Sequence, residues 1–409
     1  MINNMKKTFE EFPKPFWVLI GATVIDQTGQ FMVFPFFALY MTEHFGVGMT
    51  EVGLLFAVFT ITGIFGSVLG GALADKVGRK SMVLFGIFIS GLTSISIILV
   101  DDLNLFYGVG ALVGLLGNIG GPARQAMIAD LLPEEQHAEG YSIFRVAFNI
   151  SATIGPVIGG IMAVRSFDLL FIGDAVLSAI TAVIVLIYLP ETKPERAEDA
   201  PEETMAESVG GYSKVFKNSA FMLFILVSIL LSSVYMQMNS TLPVFMRDSH
   251  NFDPKVYGGL LSMNAAIVVI FQLWLTRKLS KYPQLVMAAL GAFLYTIGFA
   301  AFGFISGLFL FIVVMIIITV GEMIIAPVGQ TLAAKYASED MRGRYLAVFG
   351  FSYAIPNMFV PYLMGLIMDN YDPNWVWYLA GILGTLATIG YLWLFTKDKA
   401  SEKVIVNTI

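Results

Sequence analysis

The chemistry this chain could perform rests on a few ionisable and amide side chains set inside long apolar runs. Asp26 and Glu322 each stand near the middle of such a run, and Arg145 and Asn149 stand one helical turn apart in another. An aspartate or arginine at the centre of a membrane helix costs about 2.5–3.5 kcal/mol on insertion scales, so each needs a compensating role. Burial in an apolar cavity favours the neutral form of a carboxyl, which can then take up and release a proton or balance a cationic ligand. Arg145 calls for an acidic partner, with Asp26, Glu322 or an anionic ligand as candidates. The competing reading is a purely structural pairing of each acid with a nearby arginine. Arg124 is nearer the end of its run, where its head could snorkel to water. Asp174, near the outer end of another run, is expected to be only an interface residue.

Amides and flexible apolar groups accompany the charges. Gln27, Gln30, Gln237 and Asn239 lie among Phe31, Phe34, Phe37, Tyr235, Met236 and Met238. Apolar walls with a few polar anchors suit varied amphipathic compounds, because methionine and aromatic side chains adapt to different shapes. Simple packing is the alternative for any one aromatic. Cysteine is absent, and the three histidines, His44, His137 and His250, fall in or near expected loops. Neither a metal site nor a nucleophile–base pair is therefore expected. An enzyme, a cofactor and a nucleic-acid partner are not expected either.

The elements that must hold these residues are membrane helices. Of 409 residues, 57% are hydrophobic and 13% charged, about half the charged share of an ordinary soluble domain. Mean hydropathy is +0.76. Runs long enough to span a bilayer fall near 16–41, 51–73, 81–100, 104–129, 138–163 and 168–189, then near 216–246, 255–276, 283–303, 307–334, 345–368 and 375–396. The first run is too long for a signal-peptide core and is read as a retained span. With the N-terminus inside, the cytosolic segments hold nineteen of the 24 Lys and Arg, and the outer loops hold only Arg165, Arg247 and Lys255. This asymmetry orients the chain with both termini cytosolic. The polar, acidic stretch after Pro190 reads as a flexible connector. The domains expected are a six-helix bundle over 1–190, a cytosolic linker over 191–214 and a second six-helix bundle over 215–409.

An internal repeat supports that division. At an offset of 205, Pro122 maps to Pro327, Gln125 to Gln330, Ala129 to Ala334, Pro156 to Pro361 and Gly160 to Gly365. Two parallel repeats of six spans can expose a shared midplane site to either side of a membrane.

Two motifs carry a family resemblance. Between spans two and three the chain reads Gly71-Ala-Leu-Ala-Asp75-Lys-Val-Gly78-Arg79-Lys80, which resembles the loop motif of the major facilitator superfamily. In span five it reads Ser151-Ala-Thr-Ile-Gly155-Pro156-Val-Ile-Gly159-Gly160, which resembles that family's antiporter motif with serine in place of the first glycine. Ser151, Gly155 and Gly159 recur every four residues and make a groove for a close helix contact. Pro156 removes a backbone hydrogen bond and can bend the helix. The chain as a whole resembles the twelve-span drug:proton antiporter branch.

That resemblance implies an all-α membrane protein of twelve transmembrane helices in two six-helix bundles, in the cytoplasmic (inner) membrane. It implies a secondary active transporter that works as a monomer, exporting hydrophobic or cationic small molecules in exchange for protons. Proton coupling would fall to Asp26, Glu322 and Arg145. Substrate would meet Gln30, Phe34, Asn149, Tyr235, Gln237, Asn239 and Glu322. Gly71, Asp75, Gly78 and Arg79 would form a conformational latch, with Asp130 as partner. Ser151, Gly155, Pro156, Gly159 and Gly160 would pack helices. One feature departs from the branch: its mid-span-four arginine is missing from Gly108 to Gly117. A metabolite, sugar or lipid transporter on the same fold, or a non-transporting sensor, remains the alternative.

Overall fold

The structure, a computed structural model, describes residues 11–117, 119–192, 212–338 and 341–406, with the side chains at Gly71, Ala72, Asp75, Lys76, Ala138 and residues 398–406 outside that description. In chain order the helices are α1 (Lys14–Val33), α2 (Phe37–His44), α3 (Met49–Val77), α4 (Arg79–Ile98) and α5 (Leu103–Gly117). There follow α6 (Gly120–Leu131), α7 (His137–Ala163), α8 (Asp168–Tyr188), α9 (Ser219–Tyr235) and α10 (Leu242–His250). The last are α11 (Pro254–Leu279), α12 (Gln284–Ala301), α13 (Leu308–Lys335), α14 (Arg342–Asn370) and α15 (Asn374–Val406). In hydrocarbon every backbone N–H and C=O must be satisfied within its own segment, which favours helices for such apolar runs.

Among the described residues, eleven helices are long and apolar enough to cross a membrane. Segment α1, expected to be the first of twelve, is not among them. Lys14, Asp26 and a string of small and amide residues dilute its apolar character. The large aliphatic side chains of Val68, Leu186, Ile270 and Leu273 are each more than 60% exposed. Water would not tolerate so many such side chains in contiguous faces, whereas lipid does. The molecule is an integral, multi-pass membrane protein.

By internal packing the chain divides into two compact units. Unit one comprises Met1–Val47, Leu54–Ala197 and Asn251–Val269; unit two comprises Gly48–Gly53, Glu198–His250 and Ile270–Ile409. In unit one, α1 packs on α7 and α8, and α4 packs on α8, α5 and α6. In unit two, α9 packs on α14 and α15, and α12 packs on α15 and α13. These are the same pairings shifted by the repeat, so the sequence repeat is also a repeat of packing.

Small residues set the closest approaches in unit one. A side chain on Gly155 of α7 would come within 2.5 Å of Phe31 Cβ on α1. Gly159 meets the Met32 carbonyl in the same way, and Ser151 Oγ donates to the Val24 carbonyl at 2.9 Å. The Ser151–Gly155–Gly159 face is therefore a seat for α1. Pro156 stays inside an unbroken helix.

Candidate functional site

A cavity of about 560 Å³ lies wholly within unit one and is lined by residues of all eight helices from α1 to α8. Asp26 of α1 is 1% exposed. The Arg124 guanidinium of α6 donates from Nη2 to its Oδ2 at 2.7 Å, and the Gln27 and Gln30 amides approach the same oxygen at 3.5 Å. Asp174 of α8 lines the same cavity. It is 3% exposed, and its Oδ2 accepts from Ser94 Oγ of α4. Among the described residues, the Oδ1 atoms of both aspartates are buried without a hydrogen-bond partner. Gly29, one turn after Asp26, is what lets Asp174 sit against α1, because any side chain there would strike the carboxylate. Phe34, Phe37, Phe59, Phe144 and Phe148 supply apolar walls.

Unit two holds a smaller cavity of about 190 Å³. Its acid is Glu322 of α13, which accepts from the Tyr235 hydroxyl at 3.2 Å. Tyr235 stacks on Tyr295 with ring centroids 5.8 Å apart and planes 13° from parallel. The two cavities occupy equivalent places in the repeat. At the offset of 205, Asp26 corresponds to Leu231, Gln27 to Ser232, Gln30 to Tyr235 and Ser90 to Tyr295. Gly117 corresponds to Glu322, Gly120 to Ile325, Gly121 to Ala326, Arg124 to Gly329, Phe144 to Phe349 and Phe148 to Tyr353. Every member of these pairs lines its own cavity. The repeat thus builds two pockets on one plan and loads them differently. Unit one has an aspartate–arginine pair with a glycine where unit two has Glu322. Unit two has that glutamate, with leucine and glycine where unit one has the pair.

Several residues stand elsewhere than the sequence placed them. Arg124, not Arg145, is the arginine beside Asp26; Arg145 is exposed and does not line the cavity. The reason is helical phase, since Arg124 lies two turns beyond Gly117 and shares its face. Asp174 is no interface residue: Asp174, Ser178 and Thr181, at i, i+4 and i+7, form one buried polar stripe. That spacing was the signal available in the sequence. Gln30 and Phe34 line the cavity of unit one and Tyr235 and Glu322 that of unit two; Asn149, Gln237 and Asn239 lie outside these two linings. Gln237 is partnered within its own stretch of chain, donating to Ser233 O and accepting from Thr241 Oγ1 at 2.7 Å. Gly160 abuts the first turn of α11 at Lys255 Cα, 2.9 Å from where its Cβ would be.

At the end of α3 and the start of α4 the motif residues form a polar cluster. Arg79 Nε donates to Asp130 Oδ2 at 3.3 Å, and Thr192 Oγ1 donates to the same oxygen at 3.0 Å. The contacts expected of Asp75 and Gly71 lie outside the described residues. Glu191, read from sequence as part of a flexible connector, accepts from the backbone N–H of Arg79 at 2.6 Å and of Lys80 at 3.1 Å. Its carboxylate sits where the helix dipole of α4 favours negative charge. Burial opposes ionisation, but the N–H groups of Lys80, Arg79, Thr192 and Ser81 outweigh it and hold Glu191 below the usual glutamate value. Gly78, at φ 122°, makes the turn between the helices, and a side chain there would collide with that carboxylate.

Residues 19–359 and 304–407 match the profile of the Major Facilitator Superfamily. The chain is 27% identical to a Na(+), Li(+), K(+)/H(+) antiporter of Planococcus maritimus, over 92% of this chain and 94% of that one. It is 23% identical to multidrug resistance protein MdtH of Shigella flexneri, over 92% and 93%. In structure it resembles the nucleoside transporter NupG, with a TM-score of 0.77, 16% identity and coverage of 94% and 99%. That last likeness concerns the fold alone.

Proposed function

The chain belongs to the Major Facilitator Superfamily, a family of transporters and not of enzymes, and from that premise we propose that it is a proton-coupled exporter of hydrophobic or cationic small molecules. In this reading α1 is the twelfth span beside the eleven strongly apolar helices, and residues 1–190 and 215–409 are the two six-helix bundles. The protein lies in the cytoplasmic membrane as a monomer with both termini in the cytosol, and alternating access moves the substrate. The coupling ion is the proton, and neither a cofactor nor nucleic acid takes part.

The observation that carries this reading is the charge balance of the cavities. Unit one buries two aspartates against one arginine inside aromatic walls, and unit two adds Glu322 beside stacked tyrosines. An acidic excess in an apolar pocket favours protons and lipophilic cations and disfavours anions. A second reading, exchange of alkali cations for protons, is favoured by the relative from Planococcus maritimus. It needs only the same acidic excess, with an inorganic ion as cargo.

Proteoliposomes with an imposed pH gradient test both. Adding a lipophilic cation such as ethidium is expected to release protons with the wild type and not with the doubly neutralised Asp26→Asn/Glu322→Gln protein. Equal proton release from both proteins would remove the assignment of the acids. Proton release on adding sodium but not ethidium would select the second reading.

A further inference from the structure

Proton coupling requires a carboxyl that changes its protonation state, and unit one contains two candidates in very different settings. Asp26 has the Arg124 guanidinium at 2.7 Å, with two amides behind it. A buried carboxylate with a guanidinium in contact is complemented and keeps its charge. Among the described residues, no cation pairs with Asp174. Its partner is the neutral Ser94 hydroxyl, its Oδ1 is buried without a partner, and the side chain lines the cavity.

The groups facing Asp174 leave it in surplus. From α1 comes Asp26, a like charge, together with Gly29. From α4 come Ser90, Thr93 and Ser94, and from α7 the cavity receives Phe144 and Phe148, all neutral. Arg124 of α6 is engaged by Asp26. With both aspartates ionised the cavity would carry two negative charges against one positive. A buried charge without a counter-ion is strongly disfavoured, and protonation is the least costly relief.

We propose that Asp174, seated on Ser94, is the proton-exchanging carboxyl of unit one, while Asp26 stays paired with Arg124. This rests on the reading of the chain as proton-coupled. The step conserves charge and involves no redox change. The O–H bond of the Asp174 carboxyl breaks, the proton passes to water in the cavity, and the carboxylate keeps the Ser94 hydrogen bond. Reloading reverses it. Gly29 contributes by letting the carboxyl lie against α1, so that the charge on Asp174 is felt where Asp26 and Arg124 meet. Asp26 and Arg124 are then the binding pair, and Asp174 is the group whose charge alternates.

The test has two arms on the purified full chain. In infrared difference spectra across a neutral-to-alkaline step, recorded in a Glu322→Gln background that removes the carboxyl of the second cavity, the parent protein should show the carbonyl stretch of a protonated carboxyl. That band should be lost in Asp174→Asn, retained in Asp26→Asn and moved to higher frequency in Ser94→Ala, where a hydrogen bond is missing. In proteoliposomes, the ratio of substrate movement with a pH gradient to movement without one should fall at least tenfold in Asp174→Asn. Melting temperatures near wild type show that the variants are folded. A band that survives Asp174→Asn or vanishes with Asp26→Asn overturns the assignment, and so does full pH-gradient stimulation in Asp174→Asn. If the wild type itself ignores the gradient, proton coupling fails as a function, and the infrared arm still reports separately whether Asp174 holds a proton.

Discussion

Removing Arg124 should leave Asp26 buried without its counter-ion. Its Nη2 lies 2.7 Å from Asp26 Oδ2, and Asp26 is 1% exposed. At an effective dielectric of about 20, that separation corresponds to an attraction of about 6 kcal/mol. Desolvation of the two ions offsets most of it in the intact pair, but deleting one partner leaves the other buried and uncompensated, at about 3–5 kcal/mol. The Arg124 side chain retains 14% of its exposure, so the lower end applies and Arg124→Ala should cost about 3 kcal/mol. For a unit of this size that is a fall of roughly 6–12 °C in melting temperature. The charge-free double variant Asp26→Asn/Arg124→Ala should recover most of the loss, giving a coupling energy of roughly 2–3 kcal/mol. Thermal melts of the four detergent-purified proteins close the cycle. Additive losses, or an Arg124→Ala protein that melts with the wild type, would show that the pair is not a buried unit.

Other perturbations follow from the same contacts. Gly155→Val should overpack α7 against Phe31 of α1 and lower stability by about 1–3 kcal/mol, read by thermal melting; a wild-type melt would mean that α1 does not sit on that face. Gly78→Ala places a side chain at φ 122° and against Glu191, a strain of about 1–3 kcal/mol that a melt unchanged from wild type would rule out. Glu191 titrates lower in the folded chain than unfolded, so its stabilisation is complete above the unfolded value of about 4.3 and is lost as pH falls through the folded one. Glu191→Gln should therefore melt earlier than wild type at pH 7, with the two converging in acid, whereas a difference independent of pH would refute the capping role. Glu322→Gln and Tyr235→Phe should each slow lipophilic-cation transport in proteoliposomes by roughly tenfold, the scale of one charge-assisted hydrogen bond; unaltered rates would take Glu322 out of the pathway.

The sequence alone determined everything that depends on local pattern. Hydropathy marked the apolar runs, Lys and Arg placement gave the orientation expected of them, and spacing found the Gly78–Arg79 turn, the Ser151–Gly155–Gly159 groove and the acids Asp26 and Glu322. It also contained the offset of 205 that links the two cavities, because a repeat is a one-dimensional property. Tertiary structure alone decided the partners. Whether Asp26 meets Arg124 or Arg145 depends on the phase of α6 and α7 about their axes and on how α1 settles against them. Asp174 lies 148 positions from Asp26 in sequence, and only the approach at Gly29 brings it to α1. Glu191 sits in polar sequence that resembles linker, and the first backbone N–H groups of α4, at Arg79 and Lys80, capture it. Periodicity records which face of a helix is buried; which charge it is buried against is fixed by packing between helices far apart in the chain.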